Sequence, residues 1–165
     1  MTDKTLIDGT ANPDNLGPDA MRWTPEAEQP AVSVADLFGE VIHAYSRASA
    51  LADGALVAVG DDIACEAGFR VPVALTAAAW ADCVAWTDED NRQTHQDESG
   101  RLWDVLRMTH YAIRRSDGGR SCTVELYRVP RDGESHESKQ AWLLATCGPG
   151  DEWEPVITIS LPGED

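Results

Sequence analysis

The chain has 165 residues, 42% of them hydrophobic, and carries 29 Asp and Glu against 13 Lys and Arg, a formal net charge of −16. That balance excludes direct contact with nucleic acid or an anionic membrane surface, since such contacts rest on Lys and Arg neutralising phosphates, and it points to a basic partner. The apolar fraction is enough for a core and the length fits one domain. No apolar run nears the roughly 18 residues of a membrane span.

Residues 1–30 are rich in Asp, Asn, Pro, Gly and Thr, and beyond Met1 hold few large apolar residues, Leu6, Ile7, Leu16, Met21 and Trp23, with no period. This predicts a flexible acidic arm over residues 1–30 and a single α+β domain over 31–165. The opening Met1-Thr2-Asp3-Lys4-Thr5 has no basic or apolar leader character, so no secretory signal is expected. Cys65, Cys83, Cys122 and Cys147 form no CxxC pair and read as reduced, mostly buried thiols of a cytoplasmic protein. Eleven of the thirteen basic residues are Arg. With the many alanines, this suggests a GC-rich genome, which itself tilts composition toward Asp and Glu.

Leu37, Phe38, Val41, Ile42 and Tyr45 recur at helical spacing behind Ser33, an N-cap residue. They predict a helix running to about Ala52 and stopping at Asp53-Gly54. Ala55 to Val59 is a short apolar run, read as a short strand or extended segment. Asp61 caps a short helix through Ala67, closed by Gly68. Pro72 ends that stretch, and Thr76 caps a third helix from Ala77 to about Trp86. Residues 87–100 form a polar, acidic loop. A fourth helix, about Arg101 to Ser116, carries Leu102, Trp103, Leu106, His110 and Ile113 on one face. The period then changes from helical to alternating. Cys122 to Val129, Lys139 to Thr146 and Pro155 to Leu161 read as three strands. Helices followed by strands predict an α+β fold, with N-terminal helices packed on a C-terminal three-stranded antiparallel sheet.

The acid excess is uneven. Residues 31–100 carry twelve acids and three bases, and Asp151 to Asp165 adds five acids and no base. The exposed acids predicted to meet a partner are Asp61, Asp62, Asp88, Glu89, Asp90, Asp97, Glu98, Asp151, Glu152 and Glu154. Trp153 stands among the last three as an aromatic anchor.

Chemistry-bearing patterns are sparse. Asp88-Glu89-Asp90 resembles the start of a calcium loop, but Gln93 and Ser99 stand where Gly and Glu are required. His43, His95, His110 and His136 show no metal-ligand spacing, so no metal and no cofactor are expected. His95, Asp97, Glu98 and Asp104 form the densest polar cluster and are the site of the enzyme alternative. The plainer reading is a solvated loop whose acids cap the next helix. No catalytic residue is assigned. Trp80, Trp86, Trp103 and Trp142 fall inside predicted elements and read as core.

From Leu37 to Asp165 the chain resembles a family of bacterial mobile-element proteins, found on plasmids, islands and prophages near anti-restriction genes. The residues carrying the likeness are Glu66-Ala67-Gly68-Phe69-Arg70, Pro72 to Thr76, Trp80 to Trp86, Thr94 to Leu106, Leu126 to Pro130, and Gly163-Glu164-Asp165. The resemblance implies a role in protecting incoming DNA. With the charge, it gives the expected function. The chain is an acidic inhibitor of a host DNA-targeting system, a CRISPR-Cas effector or a restriction enzyme, and occupies its basic nucleic-acid-binding surface as a DNA mimic. The alternatives are a small enzyme using the His95 to Asp104 region, or a non-catalytic accessory interaction module.

Overall fold

A computed structural model describes residues 45–164. The predicted arm, Trp23, His43 and the helical stripe from Leu37 to Ile42 lie outside the described residues.

The first described helix, α1, spans Arg47–Ala52. The predicted helix running through Tyr45 to Ala52 is corrected here, because Ser46 is extended and serves as the N-cap, accepting from Ser49 N–H. The Asp151 carboxylate accepts from Arg47 N–H and Ala48 N–H at 2.9 and 2.7 Å. Three first-turn donors are thus satisfied at Ser46, which makes it a true helix start. Tyr45 is exposed rather than on a buried stripe.

Strand β1 is Leu56–Ala58, and helix α2 is Asp61–Ala67. Asp61 is not the cap. Gly60 holds that position without a side-chain bond, and Asp61 and Asp62 sit in the first turn, where the helix dipole favours them. Gly68 closes α2 at φ +104, its N–H reaching the carbonyls of Ala64 and Cys65. Strand β2, Val73–Thr76, leads into helix α3, Ala77–Cys83, whose N-terminus Thr76 caps through Ala79 N–H. The helix ends three residues before Trp86, where Val84 and Ala85 both bond back to the Trp80 carbonyl. Helix α4, Glu98–Arg115, starts earlier than the apolar stripe indicates, because Asp97 is its cap and bonds Gly100 N–H at 2.8 Å.

Strands β3 (Ser121–Arg128), β4 (Lys139–Pro149) and β5 (Pro155–Ser160) form the expected antiparallel meander. The three-stranded antiparallel sheet is nevertheless a wrong expectation. The sheet has five strands in the order β1-β2-β5-β4-β3, and β2 runs parallel to β5. Val73, Ala74 and Leu75 of β2 are all buried, so the strand shows no alternation to read. Its partner lies more than eighty residues away in sequence.

One sheet face carries Val73, Leu75, Val124, Leu126, Leu143, Ile157 and Ile159 into a core shared with α2, α3 and α4. The other face holds Thr158 and is crossed by α1, whose Arg47 Nη1 donates to Thr158 Oγ1 at 3.0 Å. Alternation on β4 sends Ala141, Leu143 and Ala145 inward and leaves Trp142 46% exposed, so Trp142 is not a core residue. Of the cysteines, Cys83 is buried and Cys122 half-buried, whereas Cys65 and Cys147 are exposed, which corrects the expectation of mostly buried thiols. No helix among the described residues is long and apolar enough to cross a membrane.

Candidate partner-binding surfaces

The predicted partner-binding residues fall at two opposite ends of the sheet. Strand β4 has eleven residues, so it spans roughly 35 Å at ~3.4 Å per residue. Its Lys139 end lies beside the loop holding Asp88, Glu89 and Asp90, together with Asp97 and Glu98 at the start of α4. Its Pro149 end leads into the turn of Asp151, Glu152, Trp153 and Glu154. The register places Ala58, Val73, Ile157 and Cys147 near that same end, and with them Asp61 and Asp62 at the head of α2.

At the Lys139 end two loops are locked together. Gln93 is buried, and its side-chain amide donates to Pro130 O at 2.8 Å and to Ser135 O, while its oxygen accepts from Gly133 N–H at 2.8 Å. Asp90 accepts from the Thr87 hydroxyl at 2.6 Å and from Arg131 Nε at 2.9 Å. These bonds, that of Thr87 first, hold the Asp90 carboxyl down to about 2. Asp132 organises the hairpin loop by accepting from Ser135 and Glu134, which also pulls its carboxyl well below the usual range.

Arg101 ties this end to the core. It is buried, and its guanidinium donates to the carbonyls of Val84 (3.1 Å), Val129 (3.1 Å) and Asp82 (3.3 Å) and to Gln96 Oε1 (2.5 Å). It lies 4.6 Å from the Trp86 ring centroid. Burial lowers its proton affinity. The nearby Asp82 carboxylate is bound by Arg128 at 2.7 Å. Cys83 donates its thiol proton to Asp82, and burial pushes that thiol up to about 12, which disfavours its thiolate.

The result is a braced acidic end. Across residues 84–98 and 130–139 stand eight acids and three bases. Each of the bases, Arg92, Arg131 and Lys139, lies within ion-pair distance of a carboxylate in the same set. Asp88, Glu98, Glu134 and Glu137 remain exposed with no ion-pair partner among the described residues, and Glu89 stays 83% exposed despite Arg92. Sequence reasoning missed Gln93 and Arg101 as braces, and that Glu134 and Glu137 stand on a loop tied to the one holding Asp88.

The turn at the other end uses its acids differently. Asp151 caps α1, and Glu154 folds back onto Glu152 N–H at 2.9 Å. Glu152 and Trp153 point outward, with Trp153 87% exposed and at φ +66, a conformation that side chains rarely adopt.

In the His95 to Asp104 cluster, Asp97 is engaged as a cap by the Ser99 hydroxyl and Gly100 N–H, and its carboxyl is held low by them. His95 lies near enough to Asp97 to help hold that carboxyl low. Among the described residues no hydrogen bond joins His95 to Asp97, Glu98 or Asp104, and no three His, Cys, Asp or Glu side chains converge as metal ligands. His110 packs edge-on against Phe69 at 5.6 Å.

A model described as "Family of unknown function (DUF6573)" matches residues 36–165. The chain belongs to that family. No curated protein and no solved structure matches it.

Proposed function

We propose that this member of the DUF6573 family is a non-catalytic cytoplasmic inhibitor, carried on mobile DNA, of a host DNA-targeting complex. It acts by laying carboxylates on that complex's basic nucleic-acid-binding surface. The observation that carries the reading is the braced acidic end, where Asp88, Glu89, Glu98, Glu134 and Glu137 are exposed on loops tied together by Gln93, Arg131 and Arg101. A mimic of DNA, which presents one charge per roughly 1.7 Å of axis, needs carboxylates held in fixed relation rather than on free loops. Exposed ion pairs are worth about 0.2–1 kcal/mol each, so the surface works by number and by steering rather than through one anchor.

The test uses cells that carry a restriction or CRISPR system and are challenged with unmodified or targeted plasmid. Wild-type chain raises transformation, and the variant Asp88→Lys/Glu89→Lys/Glu134→Lys/Glu137→Lys does not, although its thermal unfolding is unchanged. Protection that survives these four reversals, or no protection against either class of system, sinks the reading.

A further inference from the structure

Strand β3 is the end strand of the sheet. Cys147 N–H donates to Arg120 O, which fixes the parity of the β3–β4 ladder. Cys122, Val124, Leu126 and Arg128 therefore bond to β4, and the backbone N–H and C=O of Ser121, Thr123, Glu125 and Tyr127 point away from the sheet. Among the described residues none of these outward groups has a hydrogen-bond partner. Natural proteins guard such edges with proline, lysine, bulges or a covering element. The eight residues of β3 hold no proline and, as charges, only Glu125 and Arg128, the latter paired with Asp82, and their register with β4 is unbroken by a bulge.

Beside this edge runs a groove of about 710 Å³, between β3 and one side of α4. Met108 and Tyr111 on the helix and Tyr127 on the strand line it, all exposed, with Leu126 at its floor. Tyr111 is held in place by Arg115, which donates to its hydroxyl at 2.7 Å and lies 5.2 Å from its ring centroid. Asp104 brings a carboxylate to the helix side of the groove, and Glu125, which accepts from Gln140 Nε2 across the strand pair, brings another to the opposite face of the edge.

We infer that this groove captures an extended peptide of a partner protein, which pairs with β3 as a sixth strand. Alternate apolar side chains of the peptide pack on Met108 and Tyr111, and the Lys or Arg residues between them, on the opposite face of the sheet, meet Glu125. Main-chain bonds to an exposed edge supply affinity in this mode of recognition, and pockets for alternate side chains supply selectivity. Charge complementarity selects the occupant. A second copy pairing through the same edge would bring together two bodies of net charge −16, which repel. A basic, alternating apolar segment is attracted. This surface lies along α4 and β3 and does not use Asp88, Glu89, Glu134 or Glu137, so it stands or falls separately from the inhibitor reading.

The experiment selects a displayed library of random peptides on immobilised full chain and measures enriched peptides by fluorescence anisotropy. Enriched sequences should alternate apolar residues with Lys or Arg. They should lose roughly tenfold or more in affinity for Thr123→Pro, which removes an outward N–H without touching the ladder to β4. They should lose as much for Tyr111→Glu, which tests the groove should Thr123→Pro fail to fold. Reversal of Asp88, Glu89, Glu134 and Glu137 to Lys should leave the binding in place. Enrichment of no peptide, or equal binding to wild type and to Tyr111→Glu, overturns the proposal. A wild-type dimer in sedimentation that Tyr111→Glu splits into monomers also overturns it, because the edge would then belong to a second copy.

Discussion

Replacing Arg101 with Met leaves three carbonyls, those of Val84, Val129 and Asp82, without the donor they share, and removes the cation from the face of Trp86. Each buried acceptor left unsatisfied costs about 1–3 kcal/mol, and the stacked cation contributes about 0.5–2 kcal/mol. Against this stands the desolvation of a buried guanidinium, an effective penalty of several kcal/mol that Met does not carry. The difference is a destabilisation of about 2–4 kcal/mol, on the order of 10 °C in midpoint for a domain of this size. Urea unfolding should show the lower midpoint with an unchanged slope. Hydrogen exchange should quicken in residues 84–97 and 129–138 before the rest of the sheet, since those segments are what the guanidinium joins. Arg101→Lys should recover little, because one ammonium cannot reach three carbonyls lying in different directions. A loss below about 0.5 kcal/mol, the usual surface range, or a fully stable Lys variant, would refute the assignment of Arg101 as the brace.

Gly68→Ala should destabilise by about 1–3 kcal/mol, because φ is +104 and an added Cβ would lie 2.9 Å from His110 Nε2. Urea unfolding of Gly68→Ala and of Gly68→Ala/His110→Ala separates backbone strain from the clash, and a stable single variant would refute both. Acid should loosen the braced end. The Asp90 carboxyl is held down to about 2 and Asp132 also lies below its ordinary value, so both favour the folded state above the unfolded value of about 3.9, and this stabilisation is lost as pH falls from about 4 toward 2. Thermal unfolding of Asp90→Asn should fall less steeply with acid than wild type over that window. Parallel curves would show that Asp90 adds nothing there.

Much of the fold was legible because its signals are local. Thr76 and Gly68 mark helix boundaries where the sequence places them, and the three C-terminal strands announce themselves by alternation. What stayed hidden is set by distant partners. Strand β2 is four residues, the first three buried whichever face they take, with neither length nor alternation to distinguish it from the helix that follows. The break before α1 depends on Asp151, more than a hundred residues away, completing the cap that Ser46 begins. In the candidate site the acidic loop itself was legible from composition. Its companionship with Glu134 and Glu137 was not, because it depends on Gln93 reaching across to Pro130 and Ser135, and an isolated Gln in a polar loop carries no signal of burial.

The acid excess overstates the charge that is free to meet a partner. Asp97, Asp132, Asp151, Glu154 and Glu164 all accept from backbone N–H groups, as caps or turn anchors. Asp82 and Asp90 answer Arg128 and Arg131. Changing any of these to Lys removes an acceptor and places a cation against backbone donors or against another Arg, so lost activity would report a disturbed fold as readily as a lost interface. Asp88, Glu89, Glu98, Glu134 and Glu137 at one end, and Glu152, Asp61 and Asp62 at the other, carry charge on side chains that accept from no backbone donor among the described residues. An electrostatic interface must therefore be sought first at the loop end, where five such carboxylates gather. The far end offers Glu152 beside an exposed Trp153 in the turn and Asp61 and Asp62 at the head of α2, fewer free carboxylates around an apolar anchor.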